Sequence, residues 1–214
     1  PRLLVDVNTE LIAPTSSHPD DFARFGAWVF FSADDGVHGR ELFRSNGVAA
    51  ATALFADLRP GPLGSDPRDL VEVGTRLFFT ADDGVHGREP WISDGTVVGT
   101  RMLGEVVGGA NRDLFLQHVV VLPTRLLFAR GLEIWAVDTV APSLTRVVDA
   151  SGVLVRIASA GSVRGTNGEF ALFAVQDLSH GEVWRTDGTV AGTSLGGVPW
   201  PGFSGDGGPA TSAG

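Results

Sequence analysis

Apolar and polar positions alternate over short stretches of this chain, and glycine, aspartate and proline cut the stretches at close intervals. The clearest case lies between residues 69 and 106. There DLVEVG (69–74), RLFFTA (76–81), EPWIS (89–93) and TRMLGEV (100–106) are rich in β-branched and aromatic residues. Such runs, bounded by turn residues, predict four antiparallel strands. The loop DDGVHG joins the second run to the third, and Asp94-Gly95 turns the third towards the fourth. Asp-Gly and Asn-Gly supply the positive φ that tight hairpin turns demand. No segment sustains an apolar period of 3.6 residues, so no substantial helix is expected.

The same pattern recurs along the chain. SADDGVHGRELF (32–43) and TADDGVHGREPW (80–91) are near-identical, and looser copies surround Glu133 and Glu182. Aligned on Glu41, Glu89, Glu133 and Glu182, the copies are spaced by 48, 44 and 49 residues. Phe43, Trp91, Trp135 and Trp184 follow two positions later, and Asn46, Asp94, Asp138 and Asp187 five positions later. Gly47, Gly95 and Gly188 come next in three copies, as do Thr52, Thr100 and Thr193 further on. The third copy lacks the DDG loop and the DGT turn. Four strands in a unit of about 48 residues, repeated, is the organisation of a β-propeller blade. Each unit is too small to bury its own apolar face and must stack on its neighbours.

The expected fold is therefore all-β: a propeller or propeller segment of about four four-stranded antiparallel blades. The units lie near 8–58, 59–106, 107–150 and 151–198. LLVDV (3–7) reads as the closing strand of a preceding unit, because it matches ALFADL (53–58), which points to a longer array, with ring closure by strand exchange as the alternative. The fourth unit has its own GTSLGGV (192–198). Residues 199–214 form a Gly/Pro-rich tail with the composition of a linker. Apolar contacts between blades are expected from Phe30, Phe31, Phe78, Phe79, Leu127, Phe128, Leu172, Phe173 and the four motif aromatics.

Composition narrows the function classes. The chain has 214 residues, 43% of them hydrophobic, with 29 glycines and 12 prolines, which suits short strands and many turns. Cysteine is absent, which removes disulfides, thiol nucleophiles and cysteine-based zinc sites. The net charge is −9 and every basic residue other than histidine is arginine, which argues against nucleic acid and anionic membranes as partners. No apolar run is long enough to span a bilayer, and PRLLVDV lacks the pattern of a signal peptide.

FFTADDGVHGREPWISDGTVVGT (78–100) resembles the bacterial ELWxxDGT repeat, and GEVWRTDGTVAGT (181–193) keeps its second half. DLRPGPLGSDPRDL (57–70) looks like the linker between such repeats. The resemblance covers roughly residues 1–198. It implies a propeller-like fold in a secreted or cell-surface protein and carries no catalytic residues. Pro90, Phe43 and Asn46 depart from the usual leucine, tryptophan and aspartate. In the tail, GFSGDGGPATSA (202–213) is similar to the opening of an NHL-type repeat, which implies continuation into another propeller.

Each candidate site has a structural reading beside the functional one. Asp34, Asp35, Asp82 and Asp83 are calcium candidates, since calcium takes six to eight oxygen ligands. Equally, aspartate and glycine build such turns unaided. Asp94 and Asp187 could line one rim as carboxylates, but Asn46 shares their position and only the turn role suits all three. His38, His86 and His180 precede a glycine in equivalent loops, where a histidine ring could hold zinc. The motif glutamates share a strand face with their aromatics. That places them to accept N–H groups from a neighbouring blade, with sugar binding as the alternative. No G-x-S-x-G, P-loop, H-E-x-x-H or dinucleotide fingerprint occurs.

The expected function is a non-catalytic extracytoplasmic scaffold that binds protein or glycan through propeller loops, without nucleic acid or membrane insertion. A calcium-stabilised surface or adhesion module and a carbohydrate-active propeller enzyme are the alternatives. No cofactor other than possible calcium is implied.

Overall fold

The computed structural model describes residues 4–8, 16–106, 114–148, 164–165, 170–176 and 181–195. Among the described residues, sixteen strands form four separate four-stranded sheets, each an antiparallel meander in sequence order. The first blade comprises β1 (Asp20–Phe25), β2 (Trp28–Asp34), β3 (Arg40–Ser45) and β4 (Ala53–Ala56). The second comprises β5 (Arg68–Val73), β6 (Arg76–Asp82), β7 (Arg88–Ser93) and β8 (Arg101–Met102). The third comprises β9 (Gln117–Val121), β10 (Arg125–Arg130), β11 (Glu133–Asp138) and β12 (Ser143–Arg146). The fourth comprises β13 (Arg164–Gly165), β14 (Ala171–Gln176), β15 (Gly181–Thr186) and β16 (Ser194–Leu195). Each sheet lies within one of the expected units, and the fold is of the β-propeller type.

The register explains how one sequence phrase serves two blade faces. Phe31 pairs with Phe43 and Phe79 with Trp91, while Phe30 and Phe78 stand one residue earlier and project to the opposite face. Phe30, Leu42 and Phe55 of the first blade pack with Leu77, Phe79, Ala81 and Trp91 of the second. Phe78, Val73 and Ile92 meet Leu126, Phe128 and Val137 of the third blade. Leu127, Ala129 and Ile134 continue the series to Ala171 and Trp184 of the fourth. Phe30, Phe78, Phe79 and Phe128 have no exposed surface. At about 25 cal/mol per Å² of apolar surface removed from water, these junctions dominate the stability of the stack. Leu172 is half-buried, and the Phe173 side chain lies outside the described residues.

Two expectations need correction. Leu4–Asn8 do not form a strand: the N–H of Asn8 donates to Asp6 Oδ1 at 3.1 Å, a local bond that folds the segment on itself. Val7 nevertheless packs against the cluster of Phe31, Ala33 and Phe43, as Leu58 packs against the cluster shared by the first and second blades. The outermost strands are also shorter than the apolar runs. Arg101–Met102 alone form the strand within 100–106: the N–H of Leu103 still donates to the Pro90 carbonyl at 2.8 Å, but proline has no N–H to return the bond, and the N–H of Val106 goes to the Glu89 carboxylate. The stretches 107–113, 149–163 and 196–198 and the tail 199–214 lie outside the described residues.

Candidate functional site

Because each blade is a meander, its β2–β3-type loops and its linker to the next blade leave from the same rim. The DGT turns leave from the opposite rim. The duplicated DDGVHG phrase is on the linker rim, and its chemistry there is local. Asp34 Oδ1 accepts the N–H of Gly36 at 2.8 Å, and Asp35 Oδ1 accepts those of Val37 and His38 at 2.9 and 2.8 Å. Asp35 Oδ2 lies 2.7 Å from His38 Nδ1. The second copy repeats this arrangement: Asp82 serves Gly84, Asp83 serves Val85 and His86, and His86 Nδ1 is 2.6 Å from Asp83 Oδ2. Arg59 closes the remaining oxygen of Asp82 at 2.7 Å.

Partial burial works against ionisation of Asp35 and Asp83. The amide and ring of the following histidine, with one further amide, outweigh it and hold both carboxyls below the usual aspartate range. In return the aspartate hydrogen bonds raise His38 and His86 above the usual histidine value. Asp35, Asp82 and Asp83 thus spend both oxygens on the loop or on Arg59, and Asp34 spends one. Among the described residues no three His, Asp or Glu side chains converge as metal ligands would. His38 and His86 each pair with the aspartate of their own loop rather than with each other, and His180 lies outside the described residues.

The motif glutamate ties blade to linker. Glu41 has no exposed surface, and its carboxylate accepts N–H groups from Leu58, Arg59 and Ser65 at 3.1, 3.1 and 2.8 Å, and the hydroxyl of Ser65. Burial pushes its carboxyl above the usual range against the pull of those donors. Glu89, equally buried, accepts the N–H of Val106 at 2.7 Å. Glu133 instead is half-buried, with Arg146 at 3.5 Å. The Glu182 side chain lies outside the described residues.

On the opposite rim the DGT turn is a hydroxyl network. Asp94 Oδ1 accepts the N–H and hydroxyl of Thr96 at 3.0 and 2.6 Å, and Ser93 and Thr100 join hydroxyls at 2.7 Å across the turn. Asp187, Thr189, Thr186 and Thr193 repeat it in the fourth blade. In the first, Ser45 and Thr52 keep the hydroxyl pair, while Asn46 Oδ1 accepts the N–H of Val48. A Cβ on Gly99 or Gly192 would overlap the Asp94 or Asp187 carboxylate, which explains glycine at both. The first blade has Ala51 there, within a short 3₁₀ turn, Ala49–Ala51.

Two arrangements escaped the sequence reading. The first strand of each of three blades carries a bulge whose leading residue has positive φ: Asp21 (51°), Asp69 (59°) and His118 (51°). The N–H of Asp69 donates to Asp21 Oδ1 at 3.2 Å, linking neighbouring bulges. Burial and the charges of Asp20 and Asp69 raise the Asp21 carboxyl, against the Asp69 amide and Arg68. Secondly, Asp66 Oδ2 takes both Arg68 and Arg88 at 2.6 Å, with Arg40 at 3.8 Å from Oδ1. Asp21 and Asp69, like Arg40 and Arg88, are 48 residues apart, and that spacing was the available signal.

No protein-family model matches the chain, and no curated protein matches it. Several solved structures are similar in shape. One is a prolyl endopeptidase, at 13% identity and a TM-score of 0.48, covering 83% of this chain and 25% of that one. A chain of a nidogen/laminin complex has 13% identity and a TM-score of 0.44, covering 82% of this chain and 61% of the other. PorZ, a surface component of the type-IX secretion system of Porphyromonas gingivalis, has 15% identity and a TM-score of 0.39, covering 82% and 28%. The chain thus spans about a quarter of the prolyl endopeptidase's length, and likeness at these identities concerns fold alone.

Proposed function

We infer that this chain is a non-catalytic, extracytoplasmic repeat scaffold that binds protein or glycan through its propeller loops. One observation carries the reading. Among the described residues the recurring acids and histidines are consumed in building turns and linkers, while loops on both rims expose apolar side chains, Val97, Val98 and Val140 on the DGT-turn rim and others on the linker rim. Val37 and Val85 stand at the DDG loop tips, Leu132 at the β10–β11 turn, and Leu63 and Phe115 on linkers, all exposed. Apolar side chains carried on loop tips suit contact with a partner surface. A rigid disc with variable loops suits recognition by surface complementarity.

The resemblance to the ELWxxDGT repeat supports the extracytoplasmic location. No helix among the described residues is long and apolar enough to cross a membrane. The test is binding of the purified protein to a glycan array and to a panel of immobilised secreted proteins, with Leu63→Asp/Phe115→Asp as the comparison. The reading expects a protein ligand whose binding falls at least tenfold in the double variant, or a glycan that the intact chain binds. Equal binding of the protein ligand by both proteins with no glycan bound, or no ligand of either kind, refutes it.

A further inference from the structure

The junction between the third and fourth blades holds a cleft of about 380 Å³. Equivalent positions in the first blade carry bulkier side chains. Trp28, Arg44 and Phe55 stack together there, and Trp28 and Phe55 belong to the cluster shared with the second blade. The Arg44 guanidinium lies 4.3 Å from the Trp28 ring centroid and 5.1 Å from that of Phe55. In the third blade the same register positions carry Arg125, Ala136 and Val147. Arginine to alanine and phenylalanine to valine leave smaller side chains, and the wall opens onto Gly188, Thr189 and Val190 of the fourth blade's DGT turn.

Strand alternation decides what faces the cleft. Thr145 pairs with Ala136 and Ser143 with Asp138, so these four share the side towards the fourth blade. Arg146, which also lines the cleft, pairs with Trp135 on the alternate side of the strand; its guanidinium lies 5.7 Å from that ring's centroid and 3.5 Å from Glu133, which balances its charge. Arg125 and Asp138 meet at 3.0 Å, so the facing charges cancel. Asp138 Oδ1 is held by the N–H groups of Val140 and Ala141, which fixes the pair in place. The cleft therefore offers one ion pair, the hydroxyls of Ser143, Thr145 and Thr189, and an aliphatic floor of Val148 and Val190, with the buried Ala136 and Val147 beneath. Its volume falls at the lower end of small-ligand pockets.

We propose that this cleft binds one uncharged, hydroxyl-rich ligand unit, a neutral sugar residue of a larger glycan. The carboxylate accepts sugar hydroxyls, the guanidinium and side-chain hydroxyls donate to ring and hydroxyl oxygens, and the floor takes a C–H face. A charged sugar loses, because the charges facing the cleft already cancel. This rests on the glycan part of the function proposed above and assigns it to a site on the opposite rim from the linkers.

The experiment measures binding of neutral oligosaccharides built from glucose, galactose, mannose or N-acetylglucosamine, with uronic-acid oligosaccharides in parallel. The intact chain, Thr145→Trp and Leu63→Asp/Phe115→Asp are compared. Thr145 is exposed, so tryptophan there fills the cleft without entering the core. The expected result is saturable binding of a neutral oligosaccharide that falls at least tenfold in Thr145→Trp and persists in the linker-rim variant. Equal binding in Thr145→Trp, or preference for the uronic acids, overturns the cleft while leaving glycan binding elsewhere intact. Binding of a protein ligand with no glycan bound overturns the cleft and preserves the scaffold. Absence of both overturns both.

Discussion

The buried carboxylate of Glu41 and the backbone N–H of Ser65 meet at 2.8 Å across 24 residues of chain. The first blade thereby holds the linker that starts the second, and two more N–H groups and a hydroxyl converge on the same carboxylate. Glu41→Ala leaves those donors without a partner in a buried site. Each unsatisfied group costs about 1–3 kcal/mol, so a loss of about 3–5 kcal/mol is expected in urea unfolding. Glu41→Gln keeps one acceptor oxygen and should lose less. An unchanged unfolding midpoint in Glu41→Ala would show that the linker is held by other contacts.

Gly99 and the Asp94 carboxylate are in the same kind of mutual dependence. A methyl at position 99 cannot coexist with that carboxylate in its turn-forming position. Gly99→Ala should cost about 1–3 kcal/mol. In Asp94→Ala the obstruction is gone, so the double variant should be clearly more stable than the sum of the single changes predicts. Strict additivity in chemical unfolding would contradict this relationship.

The two Asp–His loops give stability a pH window with two edges. Asp35 and Asp83 are held below their ordinary value of 3.8, so their contribution is present above that pH and fades as pH falls through the depressed values. His38 and His86 are raised above 6.5, so theirs is complete below pH 6.5 and is lost as pH climbs through the raised values. The melting temperature should therefore decline between neutral and mildly alkaline pH. His38→Gln/His86→Gln should flatten that decline; an identical slope in both proteins would count against the pairing.

Calcium should leave the melting temperature unchanged. The oxygens of Asp35, Asp82 and Asp83 already accept loop N–H groups, a histidine ring or Arg59, and binding would have to break those bonds. Differential scanning calorimetry with millimolar calcium and with chelator checks this. A rise of several degrees on adding calcium would instead establish a site by linkage.

The repeat period, the strand runs and the turn chemistry were readable in the residues because each is local. Alternation within RLFFTA sets which side chains share a face, and Asp-Gly sets a turn wherever it falls. That the motif glutamate accepts backbone N–H groups was inferable too, since recurrence at one internal position implies a shared structural task, although the donors to Glu41 lie on the linker. What tertiary structure decided is where copies differ. The bulges at Asp21 and Asp69 meet where the first strands of successive blades approach, as the Asp69–Asp21 bond shows. The meeting of Arg40, Arg68 and Arg88 on Asp66 needs four positions from two blades. The cleft beside Arg125 exists because Ala136 and Val147 lie across from another blade's turn. Sequence determined each blade through short-range periodicity and turn geometry. Only packing between blades determined which small residue leaves a space and which charge is already spent, because both depend on groups far apart in the chain.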